Sequence, residues 1–121
     1  MSPTRLLIVE DELDFAAALC IGLRLDGYSV WSADSVKEAL EVLKREAIDL
    51  VITDWALPDG TAAQVCLSAR AVQPAMPIIV MSGVCDMRTQ VIADCKPNFY
   101  VAKPLSIPQL FSNVRALVQG A

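Results

Sequence analysis

The chain has 121 residues, of which 55% are hydrophobic and 20% are charged, so it is long enough for one well-packed domain and is not expected to be disordered. Its net charge of −4 and its scattered basic residues argue against direct binding of nucleic acid. It contains no histidine, the commonest general base and a usual zinc ligand, and no apolar run approaches the ~20 residues needed to cross a bilayer. We therefore expect a cytoplasmic protein without membrane association.

Short apolar runs alternate with stretches of helical periodicity along the whole chain. The predicted strands cover residues 5–9, 28–31, 48–53, 78–81 and 99–102. The predicted helices cover about residues 13–26, a segment beginning after Ser35, a segment ending near 72, residues 87–94, and a last segment from about 108 to 118. Five strands alternating with five helices predict an α/β domain whose parallel sheet is covered on both faces.

Polar residues follow four of the five predicted strands. They are Glu10 and Asp11 after the first strand, Asp54 after the third, Ser82 after the fourth and Lys103 after the fifth. Each alone has an ordinary explanation that is favoured over a functional one: acidic strand ends are usually solvated, Ser-Gly usually forms a turn, and a lysine after a strand usually extends into solvent. Because ligands of open α/β sheets bind outside the carboxyl ends of the strands, the whole set predicts one site containing three carboxylates, a hydroxyl and an ammonium group.

The residue types at this site favour phosphoryl chemistry. Three carboxylates close together would raise one another's pKa values, so a hard dication such as Mg²⁺ would suit them. Asp54 could then attack phosphorus in line, while the Lys103 ammonium neutralises charge on the phosphoryl oxygens and Ser82 donates a hydrogen bond to one of them. The product, an acyl phosphate, reacts with water and therefore suits a reversible switch.

Four sequence motifs carry a resemblance to a known family. They are VEDE at residues 9–12, ITDWALPDG at 52–60, VMSG at 80–83 and YVAKP at 100–104. With them the sequence, from Leu6 to Val118, resembles a receiver domain of the response-regulator family of two-component and phosphorelay systems. The resemblance implies a flavodoxin-like doubly wound (βα)5 fold with strand order 2-1-3-4-5, formed by a single receiver domain over residues 1–121 without an effector domain.

The resemblance also implies roles for individual residues. Asp54 would be the phosphoacceptor, and Glu10, Asp11, Asp54 and the backbone carbonyl of Ala56 would hold Mg²⁺. The departures from the family pattern are small. The acidic pair is Glu-Asp where two aspartates would serve, the loop over residues 58–60 is short, and residues 85–98 lack the usual Gly-Ala before the fifth strand.

Further implied roles concern the switch. Ser82 matches the switch hydroxyl, and Tyr100 matches the switch aromatic, although a core aromatic is an equally good interpretation of Tyr100. Lys103 matches the family's lysine, joined to Pro104 by a cis peptide. Trp55, next to the acceptor, is expected either to report on metal and phosphate or to cover the site as a loop residue.

The implied partners are a histidine kinase or a histidine phosphotransfer protein, which would supply a phosphohistidine, and an unidentified downstream effector or fused output domain. On this reading the domain is a switch rather than an enzyme, because it catalyses only its own phosphorylation and dephosphorylation.

Other classes fit the sequence less well. A haloacid-dehalogenase-like phosphatase would carry an Asp-x-Asp pattern, and position 56 is alanine. A flavin-binding domain would need a phosphate loop where residues 10–12 are acidic. A binding module with a vestigial site remains the serious alternative, although such a module is expected to lack the acceptor or the lysine.

The four cysteines and the apolar residues of the last predicted helix have a structural interpretation. The cysteines show no Cys-x-x-Cys spacing and are interpreted as reduced, mostly buried thiols: Cys20, Cys66, Cys85 and Cys95. The apolar residues of the last helix are interpreted as core rather than as an interface: Leu110, Phe111, Val114, Leu117 and Val118.

Overall fold

The structure, a computed structural model, describes residues 3–83 and 87–120. Strands and helices alternate along the chain, at boundaries close to those that the hydrophobic pattern predicts. The strands are β1 (Arg5–Val9), β2 (Ser29–Ala33), β3 (Leu50–Asp54), β4 (Ala56–Leu57), β5 (Gly60–Thr61), β6 (Ile78–Ser82) and β7 (Phe99–Ala102). The helices are α1 (Leu13–Leu25), α2 (Val36–Arg45), α3 (Ala62–Val72), α4 (Arg88–Cys95) and α5 (Ile107–Gln119).

Five of the strands form one parallel sheet in the order β2-β1-β3-β6-β7. The chain runs from β1 outward to β2 and then crosses to β3 on the other side of β1. The strand order therefore reverses beside β1, and a crevice opens there at the carboxyl ends of β1 and β3. This is the flavodoxin-like α/β architecture that the sequence predicts.

The prediction of five strands in the order 2-1-3-4-5 requires a correction. Two short antiparallel strands, β4 and β5, follow β3 and pair Ala56 with Thr61. The sheet strands after β3 are therefore the sixth and seventh of the chain, and the order is 2-1-3-6-7. The sequence predicts only a turn here, because two-residue strands are too short to show an alternating pattern. Gly60 has a φ of 156°, a backbone conformation that favours glycine, and glycine is itself a turn signal.

The sheet separates two hydrophobic cores. Leu7 and Val9 of β1 face a core shared with α2, α3 and α4, while Leu6 and Ile8 face a core shared with α1 and α5. Both faces of the central strands are thus buried, which explains why their sequences are continuous apolar runs rather than alternating ones. Within α5, Leu110 and Val114 are fully buried and the other three predicted core residues are half-buried, so the core interpretation of this helix is confirmed.

Two predictions about the whole chain can be compared with the structure. Among the described residues no helix is both long enough and apolar enough to cross a membrane. Cys20, Cys66 and Cys95 are free and buried, as predicted, while Cys85 lies outside the described residues.

Candidate functional site

The predicted site residues meet at the carboxyl edge of the sheet. Glu10 and Asp11 follow β1, Asp54 and Ser82 are the last residues of β3 and β6, and Lys103 follows β7. The Lys103 backbone N–H donates to the Ser82 carbonyl at 2.8 Å, which extends the pairing of β6 with β7 by one residue. The sheet register therefore fixes the lysine beside the buried hydroxyl-bearing residue.

Three carboxylates form a compact cluster at this edge. One oxygen from each of Glu10, Asp11 and Asp54 can be chosen so that all three lie within 4.8 Å of one another. Glu10 is 1% exposed and Asp54 is 9% exposed, whereas Asp11 is open to solvent. The cluster thus has two buried carboxylates and one carboxylate that is exposed to solvent.

Lys103 supplies the positive charge of the cluster. Its Nζ lies 2.6 Å from Glu10 Oε1 and 3.2 Å from Asp54 Oδ2. It also lies 5.0 Å from the centre of the Phe15 ring, on the first turn of α1, within the range of a cation–π contact. Sequence reasoning missed this role of Phe15, because helical spacing indicates only that such a residue packs against the core.

The two carboxylate oxygens of Asp54 have different surroundings. Oδ1 accepts a hydrogen bond from the Trp55 backbone N–H at 3.0 Å, while Oδ2 faces the Lys103 ammonium. The Asp54 carbonyl accepts a hydrogen bond from Thr53 Oγ1 at 2.9 Å. The contacts of Oδ1 and Oδ2 orient the carboxylate at the end of β3.

Burial and mutual charge shift the pKa values of the cluster. Burial raises the pKa of Glu10 to about 7; the hydrogen bond from Lys103 opposes this rise, and the neighbouring Asp54 adds to it. Burial would lower the pKa of Lys103, but its hydrogen bond to Glu10 and the charge of Asp54 outweigh burial and raise that pKa. The lysine is therefore fully charged at neutral pH, whereas the Glu10 carboxyl is partly protonated and partly ionised there.

The donor set of the cluster fits a hard divalent cation. Among residues 3–83 and 87–120, three carboxylates face one ammonium group, so negative charge is in excess when all of them are ionised. Glu10 Oε2 is buried and has no hydrogen-bond partner among the described residues, which is costly unless a cation or another donor satisfies it. Oxygen ligands of this kind are those that Mg²⁺ takes in proteins.

The switch and metal residues predicted around the cluster are located as follows. Ala56 is exposed and is the first residue of β4, two residues after Asp54, and its role as a carbonyl ligand stays a prediction. Tyr100 is half-buried on β7, with the guanidinium carbon of Arg88 5.3 Å from its ring centre. The peptide bond between Lys103 and Pro104 is cis, as the resemblance implies.

Trp55 requires a correction. Its side chain is 5% exposed and packs in the core shared with α2, α3 and α4, so it does not cover the site as a loop residue. Its backbone N–H also donates to the Met81 carbonyl at 2.7 Å, which extends the pairing of β3 with β6 by one residue.

Asp59, in the turn between β4 and β5, has a structural role that sequence reasoning did not find. Its two carboxylate oxygens accept hydrogen bonds from the backbone N–H groups of Val36 at 2.8 Å and Lys37 at 3.0 Å, in the first turn of α2. Ser35 caps the same helix, as predicted, by accepting from the Glu38 N–H. The turn that follows the acceptor is thereby tied to α2, and no local pattern could have indicated a contact between residues so far apart in sequence.

Comparisons with known proteins agree with this geometry. The family model for the response regulator receiver domain matches residues 6–115. The swarming motility regulation protein RssB of Serratia marcescens is 33% identical over 113 residues, which cover 93% of this chain and 52% of that protein. The chain therefore spans about half the length of this curated relative.

Solved structures show the same fold. A CheY-like receiver domain protein from Methanospirillum hungatei JF-1 superposes with a TM-score of 0.90 at 24% identity, covering 98% of this chain and 96% of that one, and supports the fold alone. The response regulator TrrA from Thermotoga maritima, solved in complex with Mg(2+)-BeF, has a TM-score of 0.83 at 26% identity, with 94% and 98% covered.

The family model matches most of the chain, and three carboxylates and a lysine meet at the carboxyl edge of the sheet. The chain belongs to the receiver domain family of two-component response regulators.

Proposed function

We propose that this domain accepts a phosphoryl group on Asp54 from a phosphohistidine of a partner protein, with Mg²⁺ bound, and that the event changes its output surface. The observation that carries the proposal is the contact of one ammonium group, on Lys103, with both Glu10 and Asp54 inside a cluster of three carboxylates. A vestigial module would have little use for a buried, costly charge arrangement of this kind.

Glu10, Asp11 and Asp54 would hold the Mg²⁺ ion, together with the backbone carbonyl of Ala56. When bound, the ion would supply positive charge that neutralises phosphoryl oxygens. The buried, unpartnered Oε2 of Glu10 supports this assignment. The Mg(2+)-BeF complex of TrrA supports it by analogy.

Asp54 would act as the nucleophile. Its carboxylate oxygen forms a bond to phosphorus while the bond from phosphorus to the imidazole nitrogen of the partner breaks, and the electron pair of that bond stays with the nitrogen. Lys103 is 3.2 Å from Asp54 Oδ2 and would stabilise the charge that spreads over the phosphoryl oxygens. Ser82, buried at the end of the neighbouring strand, would donate a hydrogen bond to one of them.

The phosphoryl group would act as a switch through local charge. It adds about −1.5 to −2 charges, which compete with Glu10 for the Lys103 ammonium. Because Lys103 and Ser82 are joined by a backbone hydrogen bond, a shift of either would be transmitted along β6 and β7, where Tyr100 lies. A complete change from 1:99 to 99:1 would need about 5.5 kcal/mol, so a partner would complete a partial shift.

The wider role follows from this proposal. The phosphoryl donor would be a histidine kinase or a histidine phosphotransfer protein, and a downstream effector or fused output domain would respond. We place residues 1–121 in one cytoplasmic receiver domain that catalyses only its own phosphorylation and dephosphorylation. The domain itself would bind neither nucleic acid nor membrane.

The proposal is tested by incubating the chain with Mg²⁺ and acetyl phosphate and measuring its intact mass. We expect one phosphoryl adduct on the wild type and on Asp34→Asn, in which an exposed acid outside the cluster is replaced. We expect no adduct on Asp54→Asn or on wild type in EDTA. Absence of an adduct from every protein would favour the vestigial module, and an adduct on Asp54→Asn would show that another residue is the acceptor.

A further inference from the structure

Two cysteines away from the acidic cluster are paired in the core between α3 and α4. Cys66, in the middle of α3, is 2% exposed, and Cys95, the last residue of α4, is 1% exposed. Both belong to the core on the α2–α4 face, and each thiol shifts the pKa of the other, as two neighbouring side chains do. The phosphoryl chemistry uses neither thiol.

Arg70 holds the two helices together next to this pair. It lies one turn after Cys66 on α3, and its guanidinium donates hydrogen bonds to the carbonyls of Cys95 and Lys96, the latter at 2.9 Å. It also donates to the Met76 carbonyl at 3.4 Å. When α4 is closed, these hydrogen bonds hold its end against α3 next to the two thiols, and they place a permanent positive charge beside them.

The two thiols are not equivalent. The neighbouring Cys95 thiol and burial both raise the pKa of Cys66, so Cys66 keeps its proton. The neighbouring Cys66 thiol lowers the pKa of Cys95, and the charge of Arg70 acts in the same direction, while burial and the charge of Asp94 oppose both. The pair thus contains one sulfur suited to act as a nucleophile and one suited to follow it.

Helix α4 is short and has few stabilising contacts of its own. It has only eight residues, its N-cap Met87 makes no side-chain capping bond, and its C-cap Lys96 is a non-glycine residue with φ 45°. Only Val91 and Cys95 of the helix are buried. Segments with so few buried contacts open locally at a lower free energy than the rest of a domain, and an opening of α4 that breaks the Arg70 hydrogen bonds would expose Cys95 to a small oxidant.

We propose that Cys66 and Cys95 form a disulfide when a hydroperoxide oxidises the protein, and that this bond fixes α4 to α3. The Cys95 thiolate attacks the peroxide, so an S–O bond forms, the O–O bond breaks and the alcohol or water product leaves. The Cys66 sulfur then attacks the Cys95 sulfenic acid, the S–O bond breaks and water leaves with the Cys66 proton. The two thiols lose two electrons in total and the hydroperoxide gains them.

The test uses the full chain with Cys85 replaced by serine, so that a new disulfide must come from the three described thiols. The protein is treated with hydrogen peroxide, unfolded, alkylated without reductant and weighed. We expect loss of two hydrogens, about 2 Da, with alkylation of Cys20 alone and a peptide that links Cys66 to Cys95. Dithiothreitol should restore three alkylated thiols.

Two single variants, Cys66→Ala and Cys95→Ala, complete the experiment, with circular dichroism to check folding. In Cys66→Ala, a sulfenic acid on Cys95 should accumulate and be trapped by dimedone, whereas Cys95→Ala should yield little dimedone adduct. Hydrogen exchange of α4 amides should slow by about tenfold on oxidation of the parent protein. Three free thiols after peroxide, or a disulfide that contains Cys20, would overturn the proposal and leave the pair as core packing.

Discussion

Replacing Glu10 by glutamine tests the electrostatics of the acidic cluster, because it removes a buried carboxylate and keeps the shape of the side chain. The Glu10 side chain is 0% exposed, and burial with the neighbouring Asp54 raises its pKa from 4.5 to about 7, against the hydrogen bond from Lys103. Without a divalent cation, the folded protein therefore binds this proton more tightly than the unfolded chain does. The resulting stabilisation is fully present below pH 4.5 and is lost as the pH rises to about 7.

The size of the effect follows from the shift. A rise from 4.5 to about 7, at 1.36 kcal/mol per unit, corresponds to about 3 kcal/mol of unfolding free energy. Glutamine does not titrate, so the stability of Glu10→Gln relative to wild type should increase by about 2.5 kcal/mol between about pH 5 and pH 8.

The assay is urea unfolding in EDTA, followed by tryptophan fluorescence at several pH values. Glu12→Gln, at an exposed neighbouring acid, is the matched control and should keep the wild-type profile. If the unfolding free energies of wild type and Glu10→Gln changed in parallel over this range, the reasoning about the buried carboxylate would be refuted. Adding Mg²⁺ should stabilise the wild type more than the variant, since the ion binds the folded cluster.

Three further substitutions test contacts outside the cluster. Asp59→Asn should lower the unfolding temperature, because it weakens the hydrogen bonds that Asp59 accepts from the first turn of α2. These bonds lower the pKa of Asp59, so protonation of the wild type at low pH weakens the same contacts, and the difference in unfolding temperature should shrink as the pH falls. Arg70→Met should cost about 2 kcal/mol in urea unfolding and speed hydrogen exchange in α4, whereas Arg45→Met, at an exposed ion pair, should cost less than about 0.5 kcal/mol. Leu110→Ala, at a fully buried position, should cost about 3 kcal/mol, and Leu25→Ala, at 83% exposure, should stay within about 0.5 kcal/mol; equal losses at the two positions would contradict the assigned core.

Much of this fold could be predicted from the sequence, because strands that are buried on both faces consist of continuous apolar runs. Ile78 and Ile79 point to opposite cores, so the run that contains them is apolar throughout. The site could be predicted for a related reason. Parallel strands bring their carboxyl ends to one edge, so the polar residues that follow them, such as Asp54 and Lys103, must lie close together.

Other features depend on contacts that no local pattern encodes. Ile21 and Leu25 share the helical spacing of α1 with core residues, yet they are 59% and 83% exposed, because a helix with apolar residues around most of its circumference does not specify which side faces the sheet. Asp59 binds α2 from a turn 22 residues away from Lys37. The approach of Cys66 to Cys95 likewise depends on how α3 and α4 pack after both have formed.

The central claim, that Asp54 carries the phosphoryl group, is tested most directly by identifying the modified residue. The chain is incubated with acetyl phosphate and Mg²⁺, treated with borohydride, which reduces an aspartyl phosphate to homoserine, and analysed by tandem mass spectrometry. We predict homoserine at position 54 only, and none when Mg²⁺ is replaced by EDTA. Homoserine at Asp11 or at another acidic residue, with Asp54 unchanged, would contradict the account.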